Sequence, residues 1–377
     1  MGRRVGVIDV GSGSSSLAVF EAGKGGFLDR IFQEGKSLRL IERLDADRRL
    51  GPAATRLLFS TLRRFVELAR GHGADRIELV ATSAMRDAAN GAELVARMRA
   101  DLGVEATLVT GEEEGRLAAH TVVCTLPLRD GVVLDLGGGS LQLVQVSRRR
   151  IVQSVSLPLG GLRLHDMFLL GEDPPSAAAL NRVRRTVVEG LRSVGWLRHH
   201  GGQLVAVGGS ARTFGKIDRR ARGARSGHGH GWFLDGESLI DSLEVLSRQR
   251  IAERADTPGL PEHRRDSIVA AGVVLATVLR VGGFGGVHLS TYGIREGVAF
   301  RALFGDAPIA DPGGAGIRGR LRVAPLKRPP AVPGLTPRER RLFAAAMDRP
   351  VDWLLEKPIQ GFWQEELLRV VDALERS

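Results

Sequence analysis

The chain has 377 residues and a formal net charge of +11, and its 43% hydrophobic and 26% charged content is that of a soluble globular protein, not a disordered one. Two domains are the expectation at this length, no apolar run approaches the ~20 residues of a membrane helix, and the single cysteine, Cys124, excludes a disulfide framework or a cysteine-cluster metal site. The charge favours a polyanionic ligand. Nucleic acid is not the expected one, because aromatic residues are only 5% of the chain and no zinc-finger spacing or groove-reading basic helix occurs. A reduced cytoplasm suits one cysteine best.

In chain order, residues 5–10 read as an apolar strand, 14–20 as its hairpin partner, 52–70 as a helix, 77–81 as a strand and 91–102 as a helix. Residues 111–121 form a further helix, opened by three acidic residues that suit its N-terminal dipole. A second unit starts near Val132, with helices at 177–197, 236–248 and 266–279, strands at 204–207 and 287–290, and a closing helix at 294–303. Strands alternating with helices predict α/β architecture. Beyond residue 306 the composition changes. Residues 307–334 are Pro- and Gly-rich and read as a linker, and 335–377 read as a helical tail holding Trp353, Phe362 and Trp363.

Two stretches share one plan. VGVIDVGSGSSSLAVF (5–20) and VVLDLGGGSLQLVQV (132–146) each run from an apolar strand through an aspartate and a Gly/Ser turn into a second strand. Burying Asp9 and Asp135 beside turns with so few side chains weakens a sheet, which points to a ligand at the turns. Gly11, Ser12, Gly13 and Ser14 in the first, and Gly137, Gly138, Gly139 and Ser140 in the second, offer backbone amides and hydroxyls to phosphate oxygens. A third turn, Gly208-Gly209-Ser210, follows the strand at 204–207. The aspartates would reach phosphate only through a divalent cation. A dinucleotide fingerprint fails because Ser16 and Gln142 stand where its third glycine is required, and a Walker loop fails at Lys216-Ile217.

Paired Asp-Gly turns in two duplicated units are the plan of the actin, sugar-kinase and Hsp70 superfamily. The ordered series ATSAMRDAAN (81–90), GEEEGRL (111–117), DLGGGS (135–140), SLPLGGLRL (156–164) and GIREG (293–297) closely resembles the exopolyphosphatase and guanosine pentaphosphate phosphatase (Ppx/GppA) family across about residues 5–304. The resemblance implies two RNase H-like (actin-like ATPase) domains facing an interdomain cleft, with the short helical tail added. The first domain would span 1–122 and be completed by the helix at about 294–306, and the second would span 123–293. It also implies hydrolysis of phosphoanhydride bonds with Mg²⁺, or another divalent cation such as Mn²⁺, on polyphosphate or guanosine penta- or tetraphosphate, with a homodimer as one assembly. Glu114 would be the general base and Arg86 a phosphate-contacting arginine; Asp9 and Asp135 would be associated with the cation. Arg295 and Glu296 read as an ion pair at a helix start.

The chain departs from the family pattern at Gly13, where the family usually has asparagine, and at Gln142, where it has glutamate. Gln142 removes one negative charge from the cation site, although its amide oxygen is still a candidate ligand. The leading expectation is a hydrolase. The alternatives are a weakly active or inactive sensor of the same anions and an ATP-dependent sugar kinase or chaperone-like ATPase of the same fold. A polymer substrate also predicts a basic channel, with Arg163, Arg182, Arg184, Arg185, Arg219, Arg220 and Arg222 as candidates and the loop of His228 and His230 nearby.

Overall fold

The computed structural model describes residues 3–23, 27–198, 200, 202–223 and 229–305. The linker at 307–334, the helical tail at 335–377 and His228 lie outside the described residues. Strands β1 (Arg4–Val10), β2 (Ser14–Gly23) and β3 (Phe27–Ser37) are followed by α1 (Pro52–Gly71), β4 (Arg76–Ala81), α2 (Ser83–Asp87), α3 (Gly91–Leu102) and β5 (Glu105–Leu108). Helix α4 (Gly111–Thr125) leads to β6 (Gly131–Leu136), β7 (Leu141–Ser147), β8 (Arg150–Leu157), α5 (Gly161–Phe168), α6 (Ala177–Leu191), β9 (Gln203–Val207) and α7 (Gly209–Ala221). The rest is β10 (Phe233–Asp235), α8 (Gly236–Arg248), α9 (Ile268–Gly282), β11 (Gly286–Leu289) and α10 (Ile294–Phe304).

The first sheet has the order β3-β2-β1-β4-β5 and the second β10-β11-β9-β6-β7-β8. Read from their own first strands, both are a meander followed by two parallel strands in the order 3-2-1-4-5, the second with β10 added antiparallel at its edge. The duplication legible in the two Asp-Gly turns is therefore a duplication of topology. Asp9 lies opposite Ser16 across β1 and β2, and Asp135 lies opposite Gln142 across β6 and β7.

Apolar periodicity explains the layers. Leu58, Leu62, Phe65, Val66 and Ala69 of α1 recur at helical spacing and bury against Ile8, Val10 and Leu17 on one face of the first sheet. Helix α9, apolar on nearly every side, is enclosed between the second sheet and α6 and α8. Helix α4 serves both sheets. Its Leu117 packs with Val5, Val7 and the α10 residues Ile294 and Val298, while Ala119, Val122 and Val123 pack on Val133, Val144 and Val205. The first turn of α4 thus stands at the seam of the two halves.

Several elements differ from the sequence expectations. The helix predicted over 177–197 ends at Leu191, and a separate 3-10 turn occupies Gly195–Leu197, because Ser193 and Gly195 interrupt the helical run. Helix α9 starts at Ile268 rather than residue 266, since Asp266 instead accepts a hydrogen bond from the Ser267 amide at 2.6 Å. Strand β3 was hidden by alternating charges that belong to an edge strand, and α7 by its glycines and four basic residues. The turn at Gly208–Ser210 is the start of that helix rather than a free hairpin.

Candidate functional site

The carboxyl ends of β1, β6 and β9 open on one cleft, the crevice where ligands of parallel-stranded α/β sheets bind. Its lining includes Asp9, Gly11, Ser12, Gly13, Ser14, Glu114, Asp135, Gly137, Gly138, Gly139, Ser140, Gly208, Gly209 and Ser210, so three turns that the sequence placed far apart meet. The two Asp-Gly turns are closed alike: the Gly11 amide donates to the Ser14 carbonyl at 3.1 Å, and the Gly137 amide to the Ser140 carbonyl at 3.0 Å.

Each turn is also held from behind. The Leu38 and Arg39 amides converge on the Gly13 carbonyl at 3.0 and 2.8 Å, and the Leu162 and Arg163 amides converge on the Gly138 carbonyl, both at 2.9 Å. The peptide units before them are held as well, since the Ser12 carbonyl accepts from the Ile41 amide at 3.3 Å and the Gly137 carbonyl from the Gly161 amide at 3.1 Å, and the amides of Ser12, Gly13, Gly138 and Gly139 have no backbone acceptor outside the strands among the described residues. This explains the SLPLGGLRL segment: a Cβ at Gly160 would lie 2.3 Å from the Gly138 carbonyl oxygen, so only glycine lets the corner before α5 lie against the loop. The loops of the two halves touch directly, Gly139 against Ser12 and Ser83. Gly208 has φ 97°, and a Cβ there would meet the Leu136 carbonyl oxygen at 2.4 Å; glycine is what allows β9 to run straight into α7.

Of the three acidic residues opening α4, only Glu114 lines the cleft; Glu113 pairs instead with Arg301 at 3.3 Å. Arg86, at the end of α2, binds the Glu114 carboxylate at 2.8 Å and donates to the Val109 carbonyl at 3.0 Å. It lies behind Glu114 and outside the cleft lining, within 3.5 Å of the Ser140 hydroxyl. Gln142 is 1% exposed and also lies beneath the lining. Its Nε2 donates to Ser140 Oγ at 2.8 Å and Ser156 Oγ at 3.2 Å, and stands 3.5 Å from Glu114 Oε2. Among the described residues its Oε1 is buried with no donor, and the buried hydroxyl of Ser12 has no hydrogen-bond partner.

Burial raises the carboxyl pKa values here. Desolvation, reinforced by Glu114, lifts Asp9 to about 7, and desolvation lifts Asp135 to about 6 against the opposing charge of Arg212. Glu114 is lifted to about 7 by desolvation, with Arg86 opposing. Three acids that resist ionisation while facing one space create a demand for positive charge. Among the described residues, all the cleft's side-chain donors other than His263 and the arginines are oxygens, which suits Mg²⁺ or Mn²⁺. Among the described residues no group of three His, Cys, Asp or Glu side chains could cage an ion, so such a cation would share its ligands with water and phosphate, as Mg²⁺ ordinarily does.

The arginines that line the cleft are other residues than the channel candidates of the sequence. Arg182 pairs with Glu172, Arg184 with Asn181 and Arg222 with Asp218, all outside it. Arg39, Arg212, His263, Arg264 and Arg295 line it instead. Arg264 closes over Gly209, and burial with the neighbouring Arg212 charge lowers its pKa to about 10. The expected Arg295–Glu296 pair is also replaced: Glu296 accepts from the Gly293 amide at 2.8 Å and pairs with Arg30 at 3.5 Å, leaving Arg295 facing the cleft. No spacing rule could have found these arginines, which arrive from four separate segments. Asp87, the neighbour of Arg86, binds Arg163 and Arg48.

Comparison with known proteins agrees with this geometry. The chain is 29% identical over 308 residues to Exopolyphosphatase 1 of Mycobacterium tuberculosis, covering 81% of this chain and 89% of that protein. It is 32% identical over 308 residues to an uncharacterized protein of Streptomyces coelicolor, covering 80% and 90%. Among solved structures, an exopolyphosphatase from Cytophaga hutchinsonii superposes with a TM-score of 0.73 at 22% identity, over 80% of this chain and 98% of that one. The Aquifex aeolicus member of the Ppx/GppA family gives 0.70 at 24%, over 81% and 99%. These likenesses establish the two-domain actin-like fold. With residues 18–304 matching the model of the Ppx/GppA phosphatase family, the chain belongs to that family.

Proposed function

We propose that the chain is a divalent-cation-dependent phosphoanhydride hydrolase that releases terminal phosphate from inorganic polyphosphate or from guanosine pentaphosphate. The observation that carries this reading is the convergence of Glu114, Asp9, Asp135 and two glycine-serine loops on one cleft that Arg212, Arg264 and Arg295 also line. The exopolyphosphatase names of relatives support it.

The amides of Ser12, Gly13, Gly138 and Gly139 and the hydroxyls of Ser12 and Ser140 hold the oxygens of the terminal phosphoryl group. Asp9 and Asp135 would hold the cation, which would supply neutralisation of phosphate charge. Glu114 orients a water molecule in line with the terminal phosphorus and accepts its proton as the water oxygen bonds to that phosphorus; the bridging P–O bond breaks, and the shortened chain leaves with the electron pair. Arg86, from behind, keeps the Glu114 carboxylate aligned and turns a second guanidinium edge toward the Ser140 hydroxyl of the phosphate loop. Arg212, Arg264 and Arg295 accommodate the following phosphates.

The test is phosphate release from long-chain polyphosphate with Mg²⁺. Glu114→Gln should lower kcat by roughly 100-fold or more while polyphosphate binding survives. Binding without release by the wild type would favour a second reading, an anion sensor, which the occupied Arg86–Glu114 pair and the neutral Gln142 would suit.

A further inference from the structure

The two halves share a feature the catalytic reading does not use. Arg39, whose amide holds the first phosphate loop, sends its side chain across the cleft to Asp266 at 2.6 Å, and it also binds Glu42. Arg163, whose amide holds the second loop, sends its side chain across in the opposite direction to Asp87 and donates from Nε to the Gly139 carbonyl at 2.7 Å. In both cases the arginine lies after the third strand of its sheet, Arg39 just after β3 and Arg163 in the first turn of α5, the helix that follows β8, and supports a loop carbonyl with its own backbone.

The carboxylates are placed with equal consistency. Asp87 follows Arg86, the ligand of Glu114, and its Oδ2 also accepts from Ser83. Asp266 lies beside Arg264 and Ser267 of the cleft lining and accepts from the Ser267 amide. Each pair therefore joins the phosphate loop of one half to the segment of the other half that carries a functional arginine. All four side chains are only 16–26% exposed, where an ion pair is less screened than at the open surface.

We propose that Arg39 and Arg163 are positioning residues, a pseudo-symmetric pair of clamps that lock each phosphate loop to the opposite half and hold the cleft closed. This rests on the reading of the cleft as a polyphosphate site. With the clamps made, the loops approach as Gly139 does Ser12; without them the halves separate, and substrate binding must itself drive closure. The apparent affinity then falls by the fraction of molecules already closed, while turnover of the bound, closed complex is retained.

The experiment uses the full chain with Asp87→Asn, Asp266→Asn and the double variant. Each single variant should raise KM for long-chain polyphosphate about tenfold, and the double variant more, with kcat within about twofold of the wild type. The sign is diagnostic. Removing a carboxylate beside a basic cleft would by charge alone tighten a polyanion, so a lowered or unchanged KM in the double variant overturns the proposal. A fall in kcat at constant KM overturns it as well. A larger radius of gyration for the ligand-free double variant in small-angle scattering reports the opening directly. If the wild type releases no phosphate, the hydrolase reading fails separately, and the clamps are then tested by polyphosphate affinity and radius of gyration, which need no turnover. Asparagine keeps the shape of aspartate; should one single variant fail to fold, the other carries the same test.

Discussion

Gln142 shows how one atom changes the chemistry of a site. Its amide group, packed under the first turn of α4, faces Ser140, Ser156 and the Glu114 carboxylate, so it acts toward Glu114 as a donor. Turned over, it would set an acceptor against the carboxylate. Gln142→Glu replaces that donor by a like charge and should move the acid limb of the kcat/KM profile, set by Glu114 near about 7, up by roughly one unit. Activity requires ionised Glu114, so the variant loses activity as pH falls sooner than the wild type. An unmoved limb with a lower Mg²⁺ requirement would instead show that position 142 faces the cation. Glu114 itself was legible in the sequence, whereas the direction of the Gln142 amide was not, because β-strand register alone brings it beneath α4.

At the scale of elements, the position of Glu114 depends on how closely α4 lies on the second sheet. A Cβ at Gly111 would stand 2.1 Å from Ser156 Oγ, and one at Gly115 would stand 3.1 Å from Gln142 Cβ. The glycines of GEEEGRL flatten this face of the helix, and the Ser154 hydroxyl then donates to the Glu112 carbonyl at 3.1 Å. Gly111→Ala should lift the first turn, lower stability by about 1–3 kcal/mol and reduce kcat more than the melting temperature alone would suggest. Adding Ser156→Gly should restore a large part of kcat, which a double-mutant comparison of phosphate release would read. The helix was predicted from its acidic opening and apolar period; its two glycines acquire a purpose only once β8 is beside them.

For the whole molecule, the buried acids of the cleft couple stability to pH. Asp9 and Glu114 have pKa values of about 7 and Asp135 about 6, all raised from the ordinary carboxylate range. A raised carboxyl pKa means the folded state holds protons more tightly, so the stabilisation is complete below the unfolded values near 4 and is lost as pH rises through about 6–7. Cation-free protein should therefore melt several degrees lower at about pH 8 than at about pH 5, and Asp135→Asn should flatten the difference. Mg²⁺ should raise the melting temperature more at the higher pH, where it competes with fewer protons; equal gains at both would argue against a cation at these carboxylates.

By itself the sequence determined the local matters: alternating strands and helices, the repeated Asp-Gly turns, the acidic start of α4 and the ordered motifs that carry the family resemblance. Each depends on residues within one turn or one strand, where backbone geometry and hydrophobic period act over a few positions. Only the tertiary structure decided that α4 serves both sheets, that Arg212, Arg264 and Arg295 line the cleft, and that Arg39 and Arg163 cross it. Those partners are set by two sheets closing on each other, and in a chain so rich in arginine nothing local distinguishes a side chain that spans the cleft from one that meets water.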